Sequence, residues 1–193
     1  MKKAILHFAH ANGLPGGTYT KLVSYLQQHY SVIAVDKLGH TPEYPVTDNW
    51  PALLDELIEH IECRADEPVI GVGHSLGGIL TFLAAYHRPE LFSQIIILEP
   101  ALLYGPFALL FFFLKKVRLI DRVYFVTQTQ KRRAEWPDRK EAETYLGKRP
   151  PFKQFDPECL RDYVKYGTVK NETGVKLSFD VEVETDLFKT TPH

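Results

Sequence analysis

No segment constrains this chain more than Gly73-His74-Ser75-Leu76-Gly77-Gly78. It follows Pro68-Val69-Ile70-Gly71-Val72, which reads as a buried strand. It opens a helix over residues 75–87, with Leu76, Ile79, Leu80 and Leu83 as its apolar positions. The G-x-S-x-G spacing carries little alone; its place between a strand and a helix carries the inference. A strand that turns this abruptly into a helix forces the serine between them into a strained backbone conformation. Side chains two positions to either side would collide. Glycine at 73 and 77 removes them, and Gly78 lets the helix lie close to a sheet. The turn predicts that Ser75 Oγ stands above the strand ends, at the positive end of the following helix.

The surrounding pattern says what kind of sheet this is. Residues 4–8, 31–35, 69–72 and 94–98 are short apolar runs rich in Ile and Val, as suits strands covered on both faces. Between them, residues 18–29 carry Leu22, Val23 and Leu26 at helical spacing, and residues 50–63 carry Leu53, Leu54, Leu57, Ile58 and Ile61. Strand and helix alternating in this way predict an α/β fold, a parallel sheet with helices on both faces. With 193 residues, 45% hydrophobic and 24% charged, the chain has the make-up of one globular domain.

After Pro100 the alternation stops, so the chain divides into a core over residues 1–100 and a mostly helical lid over 101–193. The second part holds an aromatic run, Phe111-Phe112-Phe113, and basic clusters at Lys131-Arg132-Arg133 and Arg139-Lys140 that read as a solvated face. A helix start follows at Asp156-Pro157, with Leu160, Tyr163 and Val164 after it.

Composition narrows the partners. A net charge of −1, from 23 basic and 24 acidic residues, gives no electrostatic reason to expect nucleic acid. The N-terminal apolar run is broken by His7 and is too short for a signal peptide. The stretch from Ala101 to Leu114 is short of the length a membrane span needs. Cys63 and Cys159 form no metal or redox spacing and suit a reducing compartment. These features predict a soluble cytoplasmic protein that docks on no membrane and needs no metal or cofactor.

Beyond the Ser75 turn, the sequence resembles the α/β-hydrolase family. The opening strand leads into His10-Ala11-Asn12-Gly13-Leu14-Pro15-Gly16-Gly17, similar to the family's His-Gly oxyanion loop with Ala11 in place of the usual glycine. The next strand leads into Asp36-Lys37-Leu38-Gly39-His40, similar to its Asp-x-x-Gly-His loop. Arg88-Pro89-Glu90-Leu91-Phe92 and Leu98-Glu99-Pro100 match the segment before the lid. The resemblance implies that Ser75 is the nucleophile and that the backbone amides of Leu76 and Asn12 form the oxyanion hole. It makes Glu99, which follows the fourth strand, the candidate acid.

The histidine is harder to place. His87 lies twelve residues down the serine's own helix, roughly 18 Å away at 1.5 Å per residue. His193 ends the chain with no strand before it. His10, His40 and His74 lie near strand ends, His10 being the best non-standard base among them. A metal site from His7, His10 and His40 is disfavoured because strand alternation separates His7 from His10. The simplest expectation is a chain that stops before the last two core strands, leaving the fourth strand as an exposed edge suited to self-association.

The resemblance therefore implies a serine-dependent hydrolase, esterase-like or cleaving C–C bonds, that acts on a small-molecule ester or acyl substrate in a truncated or weakly active form. Tyr104, Phe111, Phe112, Phe113 and Trp136 would line an apolar pocket or, equally, simply pack on the sheet. A non-catalytic binding module, or an acyltransferase or thioesterase, stands as the alternative.

Overall fold

The computed structural model of the chain describes residues 2–193. Its first half builds an all-parallel sheet from β1 (Ile5–Ala9), β2 (Ser31–Ala34), β3 (Val69–His74) and β4 (Phe92–Leu98), in the order β2-β1-β3-β4. The strands are linked by α1 (Thr20–Leu26), α2 (Pro51–Glu62) and α3 (Leu76–His87). Buried along its whole length, β1 pairs on both sides; its Leu6 is in register with Val32 on β2 and with Ile70 on β3. On one face, Leu53, Leu57 and Ile61 of α2 and Ile79, Leu80 and Ala84 of α3 pack with Ile5, Ala9 and Val69. On the other, Leu6, Phe8 and Val72 pack against Tyr19 and Leu26. Helices cover both faces, as the alternation in sequence requires.

Two expectations need correcting. The helix read over 18–29 is a 3-10 turn (Gly16–Tyr19) followed by the short α1, because Gln28 and His29 bond back three residues rather than four and tighten its end. Burial on both faces holds for β1 but fails for β4, where Ile96 is 41% and Leu98 39% exposed. That strand lies at the margin of the sheet, and its outer edge pairs with no described residue.

The second half contains α4 (Gly105–Lys116), α5 (Tyr124–Gln130), α6 (Arg139–Leu146), α7 (Pro157–Tyr166) and α8 (Val181–Lys189). The start foreseen at Asp156 is real: its carboxylate accepts the Glu158 amide at 2.9 Å. Unforeseen was an antiparallel sheet of β5 (Glu135–Trp136), β6 (Thr168–Asn171) and β7 (Gly174–Leu177), in the order β5-β7-β6. Its strands carry Trp136, Val175 and Leu177 into a second apolar cluster with Ala142, Leu146, Tyr163 and Val164. Past it, Phe179 and Leu187 bury themselves beside Leu38 and Trp50 of the first half, and the Trp50 indole donates to Thr190 Oγ1 at 2.9 Å. The last helix is thereby fastened to the main sheet.

Candidate active site

From β1 the chain moves to β2 on one side, and from β3 it moves to β4 on the other. The carboxyl ends of β1 and β3 thus flank the point where the strand order reverses, which is where open α/β sheets form their binding crevice. Ser75 follows β3, and residues 10–13 follow β1.

Ser75 has φ 50° and ψ −111°, a conformation that costs a non-glycine residue about 1–3 kcal/mol and persists only where its surroundings enforce it. The surroundings are specific. Its amide donates to Leu98 O at 2.9 Å on β4, and the Gly77 amide donates to His10 O at 3.1 Å after β1. A Cβ on Gly73 would stand 2.2 Å from Gly77 O, and one on Gly77 would stand 2.3 Å from Ala9 O. Both glycines are therefore sterically required, as the sequence implied. Ser75 itself is half-buried, at the first turn of the twelve-residue α3, and the Leu76 amide has no acceptor among the described residues. An anion forming here would meet an unpaired N–H and the positive end of a helix.

The loop after β1 turns sharply: the Leu14 amide donates to Ala11 O at 3.1 Å, and Gly13 takes φ +72°. Asn12 and Gly13 form the corner, and the Asn12 backbone amide has no acceptor among the described residues. The Asn12 side chain turns to α8, donating from Nδ2 to Glu184 O at 2.9 Å. Ala11, where glycine was expected, is buried without disturbing the turn. Its amide donates to the Tyr19 hydroxyl at 3.1 Å, and that hydroxyl is hydrogen-bonded to His74 Nδ1 at 2.7 Å. Burial raises the Tyr19 hydroxyl pKa. The sequence offered no sign of this link between loop and elbow.

The histidines are occupied elsewhere. Fully buried His10 donates from Nδ1 to Ala11 O at 2.8 Å and accepts the Leu38 amide on Nε2 at 2.8 Å. One neutral tautomer satisfies both bonds, and burial lowers the His10 pKa to about 4. It braces two loops and is not the base. His40 does the same for Leu38 O and the Asp180 amide, while His7 pairs with His60 at 2.9 Å. His193 lies against Phe112 and Lys115, and no histidine among the described residues bonds to Ser75 or Glu99. No described cluster of His, Cys, Asp or Glu could hold a metal ion. Glu99, one residue beyond Leu98, is exposed and also has a positive φ, 45°. Burial lowers the His74 pKa, while the Glu99 charge pulls it upward, which places the carboxylate within electrostatic reach of the elbow.

The aromatic pocket expected of the lid does not form. Trp136 and Phe111 are buried, whereas Tyr104, Phe112 and Phe113 face outward. The apolar cleft beside the elbow is instead built by Leu14, Tyr19, Leu22, His74, Phe155 and Cys159, with a volume of about 250 Å³. A larger cleft of about 520 Å³, around Arg133, Tyr145 and Arg149, is lined by residues of the second half alone and includes none of the elbow.

The chain is matched over residues 8–180 by the family model described as "Alpha/beta hydrolase family". The chain belongs to the α/β-hydrolase family. It is 31% identical over 112 residues to the monoglyceride lipase of Rattus norvegicus, covering 54% of this chain and 37% of that one. It is 30% identical over 135 residues to the type I acyl-CoA thioesterase mpaH of Penicillium brevicompactum, covering 70% and 29%. In fold it is similar to E-2-(acetamidomethylene)succinate hydrolase, with TM-score 0.71, 20% identity, and coverage of 98% of this chain and 66% of that one. The chain thus spans little more than a third of the lipase it matches. No described helix is long and apolar enough to cross a membrane.

Proposed function

We propose that the site performs serine-dependent acyl transfer to water on a small hydrophobic ester or thioester. Ser75 Oγ attacks the acyl carbonyl. The amides of Leu76 and Asn12 hold the oxyanion. The ester C–O or thioester C–S bond breaks, and the departing alcohol or thiol takes up the Ser75 proton. Water then cleaves the acyl-enzyme, releasing the acid and returning a proton to Ser75 Oγ. The observation that carries this reading is the Ser75 backbone at φ 50° and ψ −111°, held by the bonds from Ser75 to Leu98 O on β4 and from Gly77 to His10 O just past β1. The cleft of about 250 Å³ at Leu14, Tyr19 and Phe155 supports an apolar acyl or alkyl group. Similarity to a lipase and an acyl-CoA thioesterase supports esters and thioesters ahead of C–C bonds. We place Glu99 as the acid on position alone, and assign the base to no residue of this chain. A serine without its base keeps only the residual rate from oxyanion hole and binding, so turnover is expected to be slow.

One observation favours a second reading, a binding module without turnover: no described histidine ring bonds to Ser75. A fluorophosphonate probe separates the two. Labelling that disappears in Ser75→Ala supports the hydrolase. Saturable binding of a butyrate ester with no labelling and no hydrolysis overturns it in favour of the binding module.

A further inference from the structure

A buried ion pair lies directly behind the oxyanion turn. Glu184 of α8, its side chain 8% exposed, accepts Arg132 Nη1 on both carboxylate oxygens, at 2.6 and 2.5 Å. Arg132 Nη2 also donates to the Tyr163 hydroxyl at 2.8 Å, deep in the second apolar cluster. Glu184 touches the turn twice. Its backbone carbonyl takes the Asn12 side-chain amide at 2.9 Å, and its carboxylate fills the space beside Gly13, where a Cβ would stand 2.6 Å from Oε1. Asn12 therefore has its side chain fixed at Nδ2 while its Oδ1 is buried with no partner. Taking two charges out of water is costly, and apolar residues of similar volume would often serve stability as well. A guanidinium with Nη1 shared by both carboxylate oxygens and Nη2 on the Tyr163 hydroxyl fixes orientation in a way that apolar packing does not.

We propose that the Arg132–Glu184 pair, anchored on Tyr163, is a positioning device that holds the Asn12–Gly13 turn and makes its alignment depend on the seating of Arg132 and Tyr163 against α8. It rests on the hydrolase reading for its catalytic consequence, but its structural part stands apart from it.

The test uses the full chain with three changes: Glu184→Gln, Arg132→Lys, and the apolar double variant Arg132→Met with Glu184→Met. Arg133→Ala, which breaks the neighbouring surface pair with Glu141, is the control. Amide hydrogen exchange over residues 10–15 is the readout that needs no activity. The proposal expects exchange there about tenfold faster or more in Glu184→Gln and in the double Met variant, at an unchanged rate in β1 and α3. Arg132→Lys restores part of the protection, and Arg133→Ala leaves it unchanged. The second readout is fluorophosphonate labelling of Ser75. The maximal rate falls by about tenfold to a hundredfold in the variants while the half-saturating concentration stays within about twofold, as misalignment of a reacting group implies. Where the parent itself is not labelled, the hydrolase reading fails and the exchange result alone decides the clamp. Unchanged protection at residues 10–15, or a double Met variant with parental protection and labelling, overturns the proposal.

Discussion

The centre of the main sheet and its β4 edge are built on different terms. Around β1 and β3, every turn is held by several independent bonds: Gly77 to His10, Ala11 to Tyr19, Tyr19 to His74, and Leu38 to His10. At β4 and the neighbouring α4, apolar side chains such as Ile96, Leu98, Phe107 and Leu110 are left facing outward. The strained serine sits at the boundary, with its amide on Leu98 O. Precision is thus concentrated where the oxyanion would form, because a strained conformation survives only if its neighbours over-determine it. The β4 side contributes one backbone bond and an open apolar surface.

The largest effect in this comparison should come from the elbow. A methyl group at Gly77 would stand 2.3 Å from Ala9 O and 2.7 Å from Ala9 Cβ, atoms of a fully buried strand that cannot give way. Gly77→Ala is expected to destabilise the fold by about 3 kcal/mol or more, through overpacking and loss of the Gly77–His10 bond. Urea denaturation measures it. A loss below about 1 kcal/mol would mean that α3 can shift away from β1.

The bracing histidines come next. Burial lowers His10 to a pKa of about 4 and His7 to about 3, against an ordinary 6.5 for each. Above pH 6.5 both are neutral folded and unfolded, so stability is complete. As pH falls below 6.5 the unfolded chain takes up protons and the folded chain does not, so stability drains away until about pH 4. For His10 alone the loss approaches about 3 kcal/mol, at about 1.4 kcal/mol per unit. His10→Asn should begin less stable at pH 7 and fall more shallowly between pH 6.5 and 4. Parallel profiles for parent and variant would show that His10 is not the group being titrated.

What could be read in advance follows the same division. The apolar runs of β1 and β3 and the glycines at 73 and 77 announce the sheet and elbow, because their constraints are local: a period of two, and a side chain with no room. Ser75 could be singled out for that reason, whereas Leu76 and Asn12 come from the resemblance to the α/β-hydrolase family. The antiparallel sheet of the second half was hidden because its strands are two to four residues long and mix Lys170 and Lys176 with their apolar positions. The Asn171-Glu172-Thr173-Gly174 turn, with Gly174 at φ +150°, was the available sign of a hairpin. Arg132 and Glu184 are 52 residues apart and look like ordinary surface charges in sequence. Whether Phe111 or Phe112 faces inward depends on what packs against α4, which no run of three phenylalanines encodes.

The smallest expected effect on stability sharpens the comparison most. Ile96 on β4 is 41% exposed, so little apolar area is lost when it is replaced. Ile96→Lys is expected to change folding stability by no more than about 0.5 kcal/mol, as for other surface positions. Its effect on association should be clear. The outer edge of β4 offers a second copy of the chain unpaired backbone groups flanked by Ile96 and Leu98, and a lysine there opposes strand addition by charge and hydration. Sedimentation velocity over a concentration series should find the parent associating and Ile96→Lys monomeric. A parent that stays monomeric throughout would remove the self-association. A loss of more than about 2 kcal/mol in Ile96→Lys would show that this face is as closely packed as the elbow, and that the contrast between the sheet's centre and its β4 edge is false.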